Sequence, residues 1–431
     1  MDAMDAYYDV IIVGSGMAGL YAALQVRKLC PNLTCLVIER NQLFGGRAYE
    51  HRFENTDVVT GAGIGRKNKD MLLLKLMREF KIPIHFFETE HKYSELIQPP
   101  CDVKATFALL KRTYESEKVA KIHTTTFKQY ATAILGEVAY KHFILCAGYS
   151  DYEKADVYDT LYHYNFDDNY NKWVGFSVPW KALVDKIVHS LGHKRIINNA
   201  EVTKIHIMAD NVFEVATKQS GDQRSHSTKY KYYCEKLIIA TDIDSLTSLI
   251  RSVVVPPHSS HIHLSLYKQI QGQSFLRLYA KFSRESIPYI KEKVQGVTVV
   301  EGPMQKIIPM NPDKGVYMII YSDNKDADVF KKYFSNTRFN RDALNRIFET
   351  SLGLEGKLHI ESIKEFYWKN GTHYYKPLAP EFKNRQEFIR TAQHPCKNVL
   401  VVGEMISIHQ GWVEGALESV HDSLTKEWLR D

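Results

Sequence analysis

Three glycines near the start of the chain carry the clearest chemical signal. Gly14, Gly16 and Gly19 follow the apolar run of residues 10–13 with the spacing G-x-G-x-x-G. In such a turn the first glycine permits a tight bend, the second lets a pyrophosphate approach the backbone, and the third lets helix and strand pack closely. Glu39 stands about 20 residues further on, where a carboxylate accepts hydrogen bonds from ribose hydroxyls. Together these residues predict a dinucleotide-binding site.

The elements that must position these residues follow from the apolar pattern. Residues 10–13 are an unbroken apolar run, which predicts a strand buried on both faces of a parallel sheet. A helix-like segment comes next, and its N-terminus offers free amide donors and a partial positive charge to phosphates. A second apolar strand at residues 35–38 leads into Glu39. The order strand, glycine turn, helix, strand and acidic residue indicates one complete nucleotide-binding unit.

Further motifs narrow the class of dinucleotide. Glu39 and Arg40 are followed by Gly45-Gly46-Arg47, residues 61–66 read GAGIGR, and residues 411–419 read GWVEGALES. These stretches resemble the E-R-x(4)-G-G-R motif, the flavin-side glycine segment and the G-[YW]-x-E-G-A-x-x-S block of the flavin amine oxidase superfamily, which includes monoamine, polyamine and L-amino-acid oxidases. The motifs extend from residue 8 to residue 419, so the resemblance covers nearly the whole chain.

The resemblance implies an α/β fold in which a Rossmann-type FAD-binding domain is interleaved with an α+β substrate-binding domain. We expect the FAD-binding domain to comprise residues 1–70, 171–245 and 386–431, and the substrate-binding domain to comprise residues 71–170 and 246–385. Apolar patterns predict helices at residues 71–82, 181–191 and 341–352, a pair of strands at 195–198 and 201–205, and strands at 236–242, 275–282, 316–321 and 399–402.

The resemblance also implies which residues hold FAD. In the family the arginine at the position of Arg47 reaches the pyrophosphate, and the valine at the position of Val202 holds the adenine through backbone groups. The expected FAD-binding residues are Gly14, Ser15, Gly16, Met17, Ala18, Gly19, Glu39, Arg40, Gly46, Arg47, Ala62, Gly63, Ile64, Val202, Gly403, Glu404, Trp412 and Val413. His373 stands where monoamine oxidases carry the cysteine that is joined to FAD, so we expect FAD to be bound non-covalently.

Three residues are expected at the reacting centre. Trp412 and Tyr374 match the aromatic pair that flanks the substrate nitrogen in the family, with Tyr375 one register away. Arg277 stands where many members place a lysine that reaches flavin N5 through water, and Lys281 is the other candidate on the same predicted strand. An arginine keeps its proton and presents a planar fork, so this departure bears on oxygen activation.

The function implied by the resemblance is oxidation of a primary amine or polyamine by hydride transfer to flavin N5, with oxygen as the acceptor. Three alternatives stay open. In an L-amino-acid oxidase, Arg66 would bind the substrate carboxylate as a bidentate pair. A desaturase-like or porphyrinogen-type enzyme would share the FAD fold but lack the aromatic pair. A non-catalytic FAD-bound scaffold is favoured by the departure at Arg277.

Composition limits the remaining classes. The formal net charge of +6 over 431 residues is modest and no long basic run occurs, so we expect no nucleic-acid partner. No apolar stretch approaches the ~20 residues of a membrane span, and no secretory signal precedes the first strand, so we expect a soluble cytoplasmic protein. The pattern leaves the oligomeric state open.

The cysteines and histidines give no metal motif. The six cysteines lack C-x-x-C and zinc-like spacings, and Cys35 and Cys146 in apolar runs are predicted to be small core residues, which suits a reducing compartment. His258, His261 and His263 are not accompanied by a carboxylate or cysteine of suitable spacing. We therefore expect no metal ion.

Overall fold

The computed structural model describes residues 6–116, 125–166, 170–208, 212–219, 228–254 and 263–431. Its strands are β1 (Ala6–Val13), β2 (Cys35–Ile38), β3 (Glu50–Phe53), β4 (Thr56–Val59), β5 (Gly65–Arg66), β6 (Phe86–Thr89), β7 (His91–Tyr93), β8 (Trp173–Phe176), β9 (Ile196–Ile197), β10 (Ala200–Ile207), β11 (Phe213–Gln219), β12 (Thr228–Ile239), β13 (Ile270–Phe282), β14 (Val297–Val299), β15 (Lys306–Asn311), β16 (Val316–Asp323), β17 (Ile360–Tyr375) and β18 (Val399–Val401).

The helices connect and cover these strands. They are α1 (Met17–Leu29), α2 (Met71–Glu79), α3 (Val103–Ser116), α4 (Phe127–Leu135), α5 (Glu137–Ala147), α6 (Val157–His163), α7 (Trp180–Leu191), α8 (Ile243–Arg251), α9 (Ile287–Lys293), α10 (Asn324–Val329), α11 (Arg338–Leu352), α12 (Arg385–Gln393), α13 (Val413–Ser423) and α14 (Lys426–Arg430).

The first sheet has the strand order β10-β11-β12-β1-β2-β9, and β18 also pairs with β12. Strands β1, β2, β9, β18 and the end of β12 run parallel, whereas β10 and β11 form antiparallel pairs at the other edge. Helix α1 packs against α7 and α13 on one face of this sheet. The N-terminal and C-terminal parts of the chain therefore meet in one parallel sheet.

Alternation along β1 explains its unbroken apolar sequence. Val10 and Ile12 pack into the core beneath α1, α7 and α13, whereas Ile11 and Val13 pack into a second core beneath α8 and α12. Successive side chains of a strand point to opposite faces, so a strand covered on both faces must be apolar at every position. The predicted doubly buried strand is confirmed.

The second large sheet has the order β17-β13-β16-β15-β14-β7, and all its pairs are antiparallel except β14 with β7. Leu276 and Leu278 of β13 pack into a core with α9 and α11. Arg277 and Tyr279 alternate with them, so they lie on the opposite face of the sheet. On that face Tyr279 packs with Phe53 and Val58 of the small β3–β4 hairpin.

One prediction about strand pairing was wrong. The strands predicted at 195–198 and 201–205 exist, but they do not pair with each other: β9 lies beside β2 and β10 lies beside β11, at opposite edges of the sheet. Cys146 is buried in a core, as predicted, but it also forms a disulfide with Cys101, which the cysteine spacing did not indicate. Cys35 is a buried free cysteine, as predicted. The disulfide removes Cys146 from the argument for a reducing compartment.

The predicted helices and the other predicted strands are present, with ends that differ by a few residues. Of the three histidines considered for a metal site, His258 and His261 lie outside the described residues, and His263 precedes the 3-10 turn Leu264–Gln269. Within the described ranges, no helix is both long and apolar enough to cross a membrane.

Candidate FAD and amine site

The first glycine turn has the geometry that its spacing predicts. Gly14 has a φ of +100°, and a Cβ added there would lie 2.4 Å from the carbonyl oxygen of Ala240. A Cβ at Gly19 would lie 1.9 Å from the oxygen of Gly14, whereas a Cβ at Gly16 would meet no atom within 4 Å. Gly16 is also the N-cap residue of α1, so no side chain accepts a hydrogen bond from the first amides of this helix. The backbone at Gly16 and the first amides of α1 are thus open to a ligand.

Glu39 is buried at the end of β2 and faces this turn. Its Oε2 accepts hydrogen bonds from the amide (2.9 Å) and hydroxyl (2.8 Å) of Ser15, and its Oε1 accepts from the amide (2.8 Å) and side chain (2.9 Å) of Asn41. Two of these four donors, the Ser15 hydroxyl and the Asn41 side-chain amide, can rotate away. Ribose hydroxyls could replace them without leaving the carboxylate unsatisfied.

A second glycine pair closes over the first turn. The amide of Gly45 donates to the Ser15 oxygen at 2.9 Å, and a Cβ at Gly46, whose φ is +60°, would lie 3.4 Å from the Cα of Gly16. Arg47 then extends to the far side of the site. Its Nη1 donates to the Gly371 oxygen at 2.7 Å and to Glu404 at 3.1 Å.

Glu404 and His373 form a buried pair behind Arg47. The Oε2 atom of Glu404 lies 2.7 Å from Nδ1 of His373, and its Oε1 accepts from the amides of His373 (2.9 Å) and Gly411 (2.7 Å). Burial opposes ionisation of Glu404, but His373, Arg47 and the Gly411 amide outweigh it and lower the pKa of Glu404 to about 2. Nε2 of His373 accepts from the Ile243 amide at 3.4 Å, so Nδ1 carries the hydrogen.

Arg277 lies against the flavin-side glycine segment. A Cβ at Gly63 would be 3.5 Å from Nη2 and 3.9 Å from Nη1 of Arg277, so the forked end of the guanidinium faces this glycine. The Ala62 amide joins the same segment to the Arg47 carbonyl at 2.8 Å. Lys281, the other candidate on β13, instead pairs with Glu361 at 3.0 Å. Arg277 therefore lies beside the flavin-side glycine segment, whereas Lys281 lies nearer the surface in an ion pair with Glu361.

Trp412 is held by two neighbours that the sequence patterns did not identify. Its Nε1 donates to Asp70 at 2.8 Å, and its ring lies edge-on to Trp180 with centroids 6.2 Å apart. Trp180 donates to the Gly63 oxygen at 3.0 Å, which links Trp412 to the glycine opposite Arg277. The sequence features that could have indicated them are an aspartate at the start of the predicted helix α2 and a tryptophan at the start of the predicted helix α7.

Arg66 is engaged by the same aspartate. Its Nη2 and Nε bond to Oδ1 of the fully buried Asp70 at 2.7 and 3.1 Å, and its guanidinium carbon lies 5.9 Å from the centroid of the Trp412 ring. The arginine fork therefore already holds a carboxylate from its own chain. Its contacts position Trp412 through Asp70.

The two candidate tyrosines on β17 have different surroundings. Tyr375 packs into the core beneath α8 and α12 and donates to the Ser407 oxygen at 2.9 Å. Tyr374 points to the other face of the strand, as does Thr372, whose Cγ2 is 4.0 Å from a Cβ placed on Gly411. Burial raises the pKa of the Tyr374 hydroxyl. Tyr374 is thus on the face of β17 that meets the segment before Trp412.

The remaining predicted contacts flank the glycine turns. Val202 lies two residues after Ala200, whose amide donates a hydrogen bond to the Glu39 carbonyl oxygen at 2.9 Å. Arg40 is half exposed and donates to Ser245 at 3.1 Å, at the start of α8. The Gly403 amide donates to the Ser419 hydroxyl at 2.8 Å. Three predicted contacts have side chains buried in the core, so they can offer only backbone groups to a ligand: Met17, Ala18 and Val413. A fourth predicted contact, Ile64, has a partly exposed side chain.

Comparisons with known proteins identify the fold of the chain. Residues 12–80 match the family model of the NAD(P)-binding Rossmann-like domain. Cyclohexylamine oxidase from Brevibacterium oxydans IH-35A superposes with a TM-score of 0.72 at 13% identity, covering 98% of this chain and 100% of that one. Putrescine oxidase bound to putrescine superposes with a TM-score of 0.65 at 15% identity, covering 97% and 98%. The chain has the fold of these amine oxidases.

A relative is also found among viral proteins. An uncharacterized protein of Acanthamoeba polyphaga mimivirus is 22% identical over an alignment of 483 residues, which covers 97% of this chain and 93% of the relative. The similarity therefore extends over both large sheets and both ends of the chain. At the level of the fold, the resemblance to flavin amine oxidases is confirmed.

Proposed function

We propose that the protein is an FAD-dependent oxidoreductase that oxidises an amine. The observation that carries this proposal is the convergence of the two glycine turns at Gly16 and Gly46 with the Gly63–Arg277 contact and Trp412, in a chain with the fold of two amine oxidases. The division into FAD-binding and substrate-binding segments given above is part of the proposal.

The chain's own residues have distinct roles in this proposal. The amides at the start of α1 and Arg47 bind the pyrophosphate, Glu39 accepts the ribose hydroxyls, and the backbone near Val202 contacts the adenine. Trp412 and Tyr374 flank the amine nitrogen with aromatic faces. When bound, FAD would supply the acceptor for a hydride from the carbon beside that nitrogen, and we propose oxygen as the final electron acceptor.

The surroundings of His373 support non-covalent FAD. Both ring nitrogens are engaged, Nδ1 with Glu404 and Nε2 with the amide of Ile243, and the side chain is almost fully buried. A covalent bond to FAD would require one of these contacts to break. Denaturation with trichloroacetic acid should therefore release all flavin into the supernatant.

The three alternatives have less support. Arg66 is bonded to Asp70, so an L-amino-acid oxidase that binds its carboxylate through Arg66 would have to break that pair. Desaturase-like and scaffold functions require no aromatic pair at the nitrogen, but Trp412 is held in place by Asp70 and Trp180. Such fixation is typical of a residue that positions a reacting group.

Anaerobic mixing of the FAD-loaded protein with amines, polyamines and amino acids tests the proposal through the absorbance of oxidised flavin. Bleaching by one class, followed by recovery and peroxide formation in air, is the expected result. Bleaching without recovery in air would replace oxygen with another acceptor. Flavin that dithionite reduces but no amine reduces would refute the proposed activity.

A further inference from the structure

The disulfide lies beside a histidine that the proposed function does not use. Nε2 of His142 lies 3.4 Å from Sγ of Cys146, which follows one turn later on α5, and Cys101 reaches both from the segment before α3. Residues at i and i+4 of a helix share one face, so the spacing of His142 and Cys146 makes them neighbours. The ligand atoms of the three residues all lie within 4.8 Å of one another.

Two sulfur atoms and an imidazole nitrogen form a ligand set that suits zinc. Thiolates and imidazole favour Zn²⁺, whereas Mg²⁺ and Ca²⁺ favour oxygen ligands. In a tetrahedral site with Zn–S distances of about 2.3 Å and Zn–N distances of about 2.0 Å, a sulfur and a nitrogen ligand lie about 3.5 Å apart. The 3.4 Å between His142 and Cys146 is close to this separation. Two of the three ligands therefore already have the spacing that the ion requires.

The burial of the three residues fits a metal site with an entrance. Cys146 is 1% exposed in the core formed by α3, α4, α5 and α6, whereas Cys101 and His142 are half-buried at the edge of that core. An ion can reach the cluster from the side of Cys101 and His142. Two thiolates cancel the charge of Zn²⁺ and a neutral imidazole adds none, so the loaded cluster would bring no net charge against the apolar core.

We propose that Cys101, His142 and Cys146 form a zinc site in the reduced protein, and that the disulfide is the metal-free form of the same site. A dithiol reductant gives two electrons to the disulfide and is itself oxidised to a disulfide, while its two thiol hydrogens pass to the cysteine sulfurs. Zn²⁺ then displaces both hydrogens as protons, and the separated sulfurs bind it about 3.8 Å apart. Nε2 of His142 is the third ligand.

The remaining coordination position falls to water. Among the described residues the cluster has three members, and three protein ligands with one open position make a site from which the ion can be exchanged. The 45 positions between the two cysteines explain why their spacing in the sequence resembles no zinc motif. The inference is independent of the proposed amine oxidation, because none of the three residues belongs to the candidate FAD and amine site.

Zinc binding by the full-length FAD-loaded protein, before and after anaerobic reduction, tests the inference. An immobilised dithiol is used as the reductant and is removed with its resin, so that it does not compete for zinc. Thiols titrated after unfolding should increase from four to six, because four cysteines are free in the disulfide form. Competition with a chromophoric chelator should then give one tightly bound Zn²⁺ per reduced chain, with release of about two protons at pH 7, and none per oxidised chain.

Three variants identify the ligands. His142→Gln keeps the disulfide and removes one ligand, so the zinc dissociation constant of the reduced variant should rise on the order of 100-fold or more, since loss of an outer-shell partner alone costs roughly 10- to 100-fold. Cys101→Ser should bind zinc as weakly. Cys396→Ser removes a free cysteine outside the cluster and should bind zinc like wild type. Circular dichroism of oxidised His142→Gln checks that the variant is folded.

The outcomes decide this inference separately from the proposed function. Absence of zinc binding to reduced wild type would overturn it, as would equal binding by oxidised and reduced wild type or by reduced wild type and reduced His142→Gln. Four thiols that persist after reduction would also overturn it, because the disulfide would then be closed to reductants. Amine oxidation is measured by bleaching of the flavin, so its failure would leave the zinc result unchanged.

Discussion

At Glu404, burial and neighbouring positive charge have opposite effects on the ionisation of the carboxylate. Its carboxylate is 5% exposed, yet it accepts hydrogen bonds from Arg47, from the ring and amide of His373, and from the amide of Gly411. A buried carboxylate remains charged only when such donors replace water. Glu404 thereby fixes three segments of the chain around the proposed cofactor site.

The lowered pKa of Glu404 makes folding stability depend on pH. Because the pKa falls from 4.5 to about 2 on folding, the stabilisation is complete above pH 4.5 and is lost as the pH falls toward 2. At about 1.4 kcal/mol for each pH unit, the loss amounts to about 3 kcal/mol. Urea unfolding of wild type and Glu404→Gln should therefore show a gap in unfolding free energy that narrows between pH 5 and pH 2.5. The exposed Glu355→Gln should show no such trend, and a gap independent of pH would contradict the prediction.

Arg66 is predicted to act by positioning, not by binding substrate. Its fork holds Asp70, which accepts from Nε1 of Trp412. Arg66→Gln should lower the rate of flavin reduction by about 10- to 100-fold for every amine or amino acid that reduces the wild-type protein, because a misplaced aromatic group affects every substrate. Arg52→Gln, which breaks an exposed ion pair with Asp57, is the control, and a loss confined to amino acids would contradict this role.

At the scale of elements, α13 and α2 are joined by one side chain. Glu414 lies in the first turn of α13, and its two oxygens accept from the amides of Leu72 (2.6 Å) and Leu73 (3.0 Å) at the start of α2. Burial raises the pKa of Glu414 to about 7, although both amides lower it. The helix that carries Trp412 at its N-terminus is thus tied to the helix that follows Arg66 and Asp70.

Removing this connection should loosen both helices. Glu414→Ala leaves two buried amides without an acceptor, so we expect a loss of about 1–3 kcal/mol in the free energy of unfolding, together with weaker FAD binding. Urea denaturation and a flavin fluorescence titration measure the two effects. Glu427→Ala on the exposed face of α14 should change the unfolding free energy by less than about 0.5 kcal/mol. Equal effects of the two variants would argue against the connection.

The disulfide is a second connection between elements. It joins the segment before α3 to the last turn of α5, and the two cysteines are separated by 45 positions in sequence. Closing a loop of that length stabilises a fold by up to about 4 kcal/mol in the chain-entropy model. Cys101→Ser should therefore lower the unfolding temperature, and added reductant should lower that of wild type but not of the variant. Cys396→Ser, a free cysteine, is the control; alkylation of all six cysteines in unfolded, unreduced protein would contradict the disulfide.

The predictions of secondary structure were correct where the sequence pattern within a few neighbouring residues determines the backbone shape. The apolar run of β1, the glycines at 14, 16 and 19 and the alternation of β13 each specify a backbone shape within a few residues. Strand partners are not local: nothing in the alternation of β9 and β10 indicates that one joins β2 and the other joins β11. The incorrect pairing and the missed disulfide have this common cause.

At the scale of the whole molecule, the site is made by contacts between distant parts of the chain. Arg47 bonds Gly371 and Glu404, and Trp412 bonds Asp70, across separations of 324, 357 and 342 residues. The motifs identified Arg47, Glu404 and Trp412 because each lies in a recognisable stretch. Asp70 and Trp180, the partners of Trp412, lie in no motif, so only the folded structure shows that they hold this side chain in place.

FAD should therefore stabilise both ends of the chain at once. At a concentration 100 times its dissociation constant, a ligand that binds only the folded state adds about 2.7 kcal/mol to the unfolding free energy. We expect FAD, but not NADH, to raise the unfolding temperature and to slow amide hydrogen exchange in residues 14–47 and in residues 403–413 together. Gly16→Val fills the open backbone position and should abolish both effects while leaving the unliganded protein folded, since its Cβ meets no atom. Protection confined to the N-terminal segment would show that the C-terminal segment does not contribute to the FAD site.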